Sequence, residues 1–118
     1  MTERICWLLL AALHAIPAAG LFRPALLTRL YGVAPGGEVF TLMQHRAALF
    51  LAVAACCLWV AFLPAGRGVA ALLTGISMAS FLALYLASGQ PAALRTIAWA
   101  DLAGLLPLAY VAWRAAAA

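Results

Sequence analysis

Long runs of apolar residues, separated by short polar or proline- and glycine-rich segments, dominate the chain. The predicted spans cover residues 5–22, 40–63, 69–87 and 95–113, and each is close to the roughly 20 residues that a helix needs to cross a bilayer. Lipid offers no hydrogen-bond partner to backbone amides, and a membrane barrel strand is only about 10 residues long. The pattern therefore predicts an all-α membrane protein, a four-transmembrane-helix bundle that forms a single domain over residues 1–118.

The longest predicted connection lies between the first two spans and begins at Arg23 and Pro24. The apolar residues after the proline recur at helical spacing: Leu26, Leu27, Leu30 and Tyr31. Proline is favoured in the first turn of a helix, and a helix with a single apolar face lies at a membrane surface. We therefore predict a short amphipathic surface helix between the first and second membrane helices.

Composition supports the membrane assignment. The chain is 69% hydrophobic and 8% charged, whereas a soluble domain is roughly half apolar and about a quarter charged. The net charge of +4 comes from scattered arginines and not from the basic stripe that is typical of a nucleic-acid-binding surface. These arginines are divided almost equally between the two predicted sides of the membrane. The positive-inside rule therefore favours neither orientation strongly, although we expect both termini in the cytoplasm.

The positions of the cysteines and tryptophans indicate structural roles and not chemical ones. The three cysteines lie inside apolar runs, without a C-x-x-C pair, and are interpreted as small buried hydrophobes: Cys6, Cys56 and Cys57. The four tryptophans lie near the predicted span ends and are interpreted as interfacial anchors: Trp7, Trp59, Trp99 and Trp113. Neither set predicts a redox or metal centre.

Four strongly polar side chains inside or at the edge of the apolar runs are the candidate ligand-binding residues: His14, His45, Arg46 and Asp101. Asp101 is the only acid within a span, and a charge in hydrocarbon costs about 2.5 to 3.5 kcal/mol on insertion scales. Arg46 enters from the same leaflet, so we expect an ion pair between these two residues. His14 lies near the middle of the first span and is predicted to face the same interior.

A pocket that contains histidine, arginine and aspartate could bind an anion, relay a proton or polarise a quinone-like carbonyl group. The structural alternative is that the same residues lock neighbouring helices together through hydrogen bonds and an ion pair. A haem held by His14 and His45 is a further alternative, since axial histidines can come from facing helices. The residues predict no catalytic group and no metal site, and they leave the cofactor unknown.

Four segments carry a resemblance to a bacterial family: LTRLYGV, LMQHRAALF, SFLAL and the dipeptide Ala100–Asp101. Over nearly its whole length the chain resembles short four-pass bacterial membrane proteins that are often labelled phosphopantetheine adenylyltransferase, and it is loosely similar to DoxX-like proteins. The resemblance implies a four-helix fold in the bacterial inner (cytoplasmic) membrane and a grouping of His45, Arg46 and Asp101. The family usually reads RHRA where this chain has Gln44 before His45, so the first arginine is absent.

The residues argue against adenylyltransferase activity. Such an enzyme holds a triphosphate with backbone amides at a helix start, in a soluble α/β crevice, and neither His14 nor His45 lies in a His-x-Gly-His motif. The leading hypothesis is an integral membrane protein that binds a small ligand, or supports redox or proton chemistry, in a polar intramembrane pocket. The alternative is an accessory subunit or a small oligomeric transporter component of a larger membrane complex. The expected partners are the lipid bilayer, further copies of the chain or such a complex, and no nucleic acid.

Overall fold

The computed structural model describes residues 1–118, which form helices and connecting turns without a β-strand. The five α-helices are α1 (Thr2–Ala18), α2 (Ala25–Tyr31), α3 (Gly37–Phe62), α4 (Arg67–Ala87) and α5 (Arg95–Ala117). Short 3₁₀ turns extend α1 and precede α5: Ala19–Leu21 and Ala92–Leu94. Four segments are long and apolar enough to cross a membrane: Thr2–Leu21, Gly37–Phe62, Arg67–Ala87 and Ala92–Ala117. The predicted all-α bundle of four long helices is confirmed.

Proline and glycine set the helix boundaries of the connection after α1. Pro24 precedes α2 as the residue at its N-terminal boundary, where the missing amide hydrogen costs nothing. Gly32 follows the last residue of α2 with a φ of 68°, and its amide donates to the carbonyl oxygen of Thr28. This left-handed conformation is accessible to glycine without a steric penalty. The chain can therefore end α2 sharply and return to begin α3.

The four long helices run alternately up and down. Arg4, near the start of α1, donates to the carbonyl of Ala61 near the end of α3. Glu3 pairs with Arg67 at the start of α4, at 3.2 Å, and with Arg114 near the end of α5, at 3.6 Å. Helix α1 packs closely against α3 and α5, and α4 packs mainly against α5, whereas α3 and α4 make fewer contacts. The result is a gap between α3 and α4.

The interior of the bundle is apolar and close-packed around α1. Its largest buried side chains include Trp7, Leu10, Met78 and Val111. Trp7 is fully buried, so its interpretation as an interfacial anchor is wrong: it lies on the face of α1 that packs into the core. Because α1 packs against both α3 and α5, a tryptophan on its inner face is buried between helices even though it lies near the helix end. The other three tryptophans are 61% to 65% exposed.

The outer surface of the bundle is also apolar. Only 21 of 118 residues are buried, and large hydrophobic side chains are exposed on each long helix, for example Leu9, Leu42, Leu72 and Leu106. A soluble protein rarely exposes contiguous apolar surface on this scale. The exposed side chains are compatible with contact to lipid.

Helix α2 is docked on one end of the bundle. Leu27 and Tyr31 are buried there against Ala47 of α3, and Leu27 also fills the space above Gly20. A Cβ atom at Gly20 would lie 2.6 Å from Leu27 Cδ2, so glycine permits this close approach. The apolar stripe that predicts a surface helix therefore packs on protein, and it brings Tyr31 to the polar residues of α3.

Candidate functional site

Arg46 occupies the gap between α3 and α4. Its guanidinium carbon lies 4.6 Å from the ring centre of Phe50, 5.1 Å from that of Tyr31 and 5.7 Å from that of Phe81. These rings belong to α3, α2 and α4, so three elements together position one cation. Each such contact contributes about 0.5 to 2 kcal/mol, more where water is excluded.

The prediction of an ion pair between Arg46 and Asp101 is wrong, because these two residues do not form one. The only ion pairs in the structure join Glu3 to Arg67 and Arg114, at the opposite end of the bundle. The physical reason is the aromatic packing around Arg46: rings from α2, α3 and α4 surround its guanidinium and hold it outside ion-pair distance of Asp101. Asp101 lies on α5 and faces a different space.

His14 is 2% exposed and connects α1 to α4. Its Nδ1 lies 2.9 Å from the carbonyl oxygen of Leu10, one turn earlier in α1. A carbonyl oxygen can only accept, so Nδ1 carries the hydrogen, and Nε2 of the neutral ring is left as an acceptor. Ser77 of α4 lies 3.4 Å from that nitrogen and donates its hydroxyl hydrogen to it. The two hydrogen bonds fix the orientation of the imidazole.

A cavity of about 140 Å³ lies between α1, α2 and α5, beside Phe50 of α3; we call it the inner cavity. Its polar lining consists of His14, Tyr31, Thr96 and Asp101. Apolar side chains, Leu13 and Ile97 among them, complete the wall. The structure thus brings two of the predicted residues, His14 and Asp101, into one cavity.

A second space of about 310 Å³ lies between α3 and α4; we call it the α3–α4 groove. Its polar lining consists of Arg46, Ser77 and Ser80, and the rest is apolar. Leu49 and Ile76 line the groove and are 55% and 58% exposed, so it opens on the apolar outer surface of the bundle. A molecule dissolved in the bilayer could reach Arg46 by this route.

Phe50 separates the two spaces, because its side chain lines both of them. Its ring centre is 5.8 Å from that of His14 and 4.6 Å from the guanidinium carbon of Arg46. His45 stands apart from this arrangement: it is exposed and lines neither space. Of the four predicted residues, His14 and Arg46 lie beside this ring, Asp101 lines the inner cavity with it, and His45 points elsewhere.

Tyr31 is a site residue that the sequence interpretation missed. It is buried, lines the inner cavity and contacts the Arg46 guanidinium. Burial raises the pKa of its phenol; the positive charge of Arg46 opposes this shift, and the carboxylate of Asp101 adds to it. Its hydroxyl is therefore within electrostatic reach of both charged residues. The only signal in the sequence was its place on the apolar stripe of the short helix.

The donors and acceptors of the site suit hydrogen bonding to a polar organic group. No three histidine, cysteine or carboxylate side chains converge as a metal-binding group. Comparisons with protein families, with curated proteins and with solved structures find no match for this chain.

Proposed function

We propose that this chain is a multi-pass membrane protein that binds a small, lipid-soluble ligand at the site formed by the α3–α4 groove and the inner cavity. The proposal rests on the position of Arg46 within α3 and on its lack of an ion pair with any carboxylate. Arg46 lies nine residues after Gly37, where α3 begins, which is about 13 Å along the helix at 1.5 Å per residue. Arg46 thus lies inside a candidate membrane span, where a cation is costly unless it is paired or hydrated. No carboxylate lies within ion-pair distance of Arg46, and Asp101 interacts with it only at longer range.

An acceptor-bearing ligand would complete the coordination of Arg46. The guanidinium has five N–H donors; the faces of the aromatic rings stabilise its charge without accepting strong hydrogen bonds, and the Tyr31 hydroxyl can accept only part of these donors. A carboxylate, a phosphate or the carbonyl oxygen of a quinone-like molecule can accept from two of these donors at once. Such an acceptor would lower the free-energy cost of keeping the half-buried Arg46 cation inside the bundle, and the same hydrogen bonds would hold the ligand in place.

The inner cavity supplies groups that can exchange protons beside the ligand. His14 and Asp101 are both ionisable, they lie in the same cavity, and Phe50 lines both that cavity and the groove. Ionisable residues at membrane depth commonly belong to proton relays or ligand sites. The arrangement supports membrane redox or proton chemistry on a carbonyl-bearing ligand as the activity of the site.

The resemblance to four-pass, DoxX-like bacterial proteins supports a location in the bacterial inner membrane. The apolar outer surface is consistent with this location. We expect the protein to stay in the membrane pellet after carbonate extraction and to fractionate with inner-membrane markers in a Gram-negative host. Release into the carbonate supernatant would contradict an integral membrane location.

Thermal unfolding in phosphatidylcholine nanodiscs tests the proposed function. The probes are a short-chain ubiquinone and oleate, each added to wild type, Arg46→Gln and Arg29→Gln. Arg29 is an exposed arginine on the same side of the bundle and provides the matched control. Because a ligand that binds only the folded state raises Tm, at least one probe should raise Tm by several degrees in wild type and Arg29→Gln but not in Arg46→Gln. The proposal fails if neither probe changes Tm in wild type.

A further inference from the structure

Building on the proposed function, we infer that the ligand of the α3–α4 groove is a single-chain anionic amphiphile, a fatty-acid carboxylate, which enters sideways from the bilayer. Its carboxylate binds Arg46, and its hydrocarbon chain follows the apolar part of the groove. Three features of the groove lead to this ligand class: its charge, its remaining hydrogen-bond donors and its shape.

The charge of the groove is positive. Arg46 is its only ionisable side chain, because the other polar lining residues are Ser77 and Ser80. Asp101 faces the inner cavity, forms no ion pair with Arg46 and acts on its charge only at longer range, so it leaves the hydrogen-bond donors of Arg46 unpaired with a carboxylate. An anion would therefore neutralise the groove, and arginine binds a carboxylate through two parallel N–H···O bonds.

The serine hydroxyls already have acceptors for their hydrogens. Ser77 donates to Nε2 of His14, because the other ring nitrogen of His14 carries the imidazole hydrogen. Ser80 donates to the carbonyl oxygen of Ser77 at 3.2 Å. Arg46 is thus the strong donor that remains in the groove, and it favours a charged acceptor over a neutral one, since hydrogen bonds to charged groups are roughly twice as strong.

The shape of the groove fits one hydrocarbon chain. From Arg46 to Val53 the groove extends over seven residues of α3, or about 10 Å along the helix axis. Leucine, isoleucine, valine and phenylalanine side chains line this length, and the volume of about 310 Å³ is at the lower end of the range for small-ligand sites. The exposed side chains of Leu49 and Ile76 at its margin place the opening towards the acyl chains of the bilayer.

Photolabelling with a matched pair of lipids tests the inference. A diazirine-bearing fatty acid and the alcohol of the same chain are added separately to wild-type protein in phosphatidylcholine nanodiscs, and the labelled residues are identified by peptide mass spectrometry. We expect the acid, and much less the alcohol, to label groove residues such as Leu49 and Leu73. Arg46→Gln should lower labelling by the acid about tenfold or more, because it removes a charged hydrogen-bond donor. Arg29→Gln should leave labelling unchanged.

The comparison of acid with alcohol uses wild-type protein, so it does not depend on whether a variant folds. Equal labelling of the groove by both lipids overturns selection for an anion, even if ubiquinone still raises Tm and the proposed function stands. Displacement of the label by phosphatidylglycerol as efficiently as by oleate overturns the single-chain assignment. Absence of groove labelling together with absence of any Tm change overturns both the inference and the proposed function.

Discussion

The guanidinium carbon of Arg46 lies 4.6 Å from the ring centre of Phe50, and the same ring forms a wall of the inner cavity. One aromatic side chain therefore stabilises the cation of the groove and separates it from His14 and Asp101. This relationship makes the groove and the cavity parts of one site, with Phe50 between them.

Phe50→Ala is expected to destabilise the protein and to join the two spaces. Complete burial would make the loss about 3 to 5 kcal/mol, and partial exposure of Phe50 reduces the expected value to about 1 to 3 kcal/mol. Phe22 is 72% exposed, so Phe22→Ala is the control and should change the unfolding free energy little. Reversible unfolding in mild detergent measures both. Equal losses in the two variants would contradict the packing role of Phe50.

Double-mutant cycles should detect coupling between Glu3 and Arg67, which form an ion pair, and little coupling between Arg46 and Asp101, which do not. Glu3 and Arg67 are 3.2 Å apart with side chains 15% and 21% exposed, so Glu3→Gln and Arg67→Gln should be non-additive by about 1 to 2 kcal/mol. Arg46→Gln and Asp101→Asn should be closer to additive, because no ion pair joins these residues. Unfolding free energies of the four single and two double variants provide the measurement. A larger coupling for Arg46 with Asp101 would contradict the structure.

The fold followed from the sequence because its signals are strong and local. Runs of apolar residues near the length of a membrane span, and the proline and glycine residues between them, predict four long helices and a short one. The positions of Glu3, Arg67 and Arg114 on one side of the bundle follow from an even number of crossings. That both arginines pair with Glu3 could not be predicted, since it depends on which face each helix turns inward.

The candidate site was less predictable, because polar residues alone suggested its members. Charge complementarity favoured an Arg46–Asp101 pair, but aromatic rings from three helices compete for the same guanidinium. Phenylalanine and tyrosine in an apolar chain give no sign of this role. His45 and Arg46 are neighbours in sequence, yet consecutive residues of a helix point about 100° apart, so only one of them enters the bundle. Depth along a helix can be counted from sequence, whereas rotation about its axis depends on packing.

Gly104 and Gly75 provide a test of the helix packing. A Cβ atom at Gly104 would lie 2.6 Å from Leu13 Cδ2 and 2.7 Å from Met78 Cε, so these side chains must shift to accommodate it. Both atoms are the far ends of flexible side chains, and the helix preference of alanine offsets part of the strain, so we expect Gly104→Ala to cost less than the roughly 1 to 3 kcal/mol that is typical of overpacking. Gly75 has no neighbouring atom within 4 Å of such a Cβ. Gly75→Ala should be neutral or stabilising, since alanine favours helix by up to about 1 kcal/mol. Melting of both variants in detergent gives the comparison, and a greater loss at Gly75 would contradict it.

The buried phenol of Tyr31 should make the thermal stability of the protein fall at alkaline pH. Burial raises the pKa of its phenol above the ordinary value of 10.0, with Asp101 adding to the shift and Arg46 opposing it. The folded state thus holds this proton more tightly than the unfolded state. Its contribution to stability is complete below the unfolded pKa and is lost as the pH rises through the folded pKa. Tyr31→Phe should therefore show a smaller fall in Tm than wild type above about pH 10. An identical fall in both proteins would contradict the burial of a neutral phenol.

Native mass spectrometry of the protein released from membranes under mild conditions is the decisive test of the ligand site at Arg46, because it detects a retained ligand of any chemical identity through its added mass. Wild type, Arg46→Gln and the control Arg29→Gln are compared after identical extraction. A ligand site built around Arg46 should give a single-ligand adduct on wild type and on Arg29→Gln, and this adduct should be lost from Arg46→Gln. A wild-type protein that carries no adduct, or an adduct that survives Arg46→Gln, would contradict a ligand site built around Arg46.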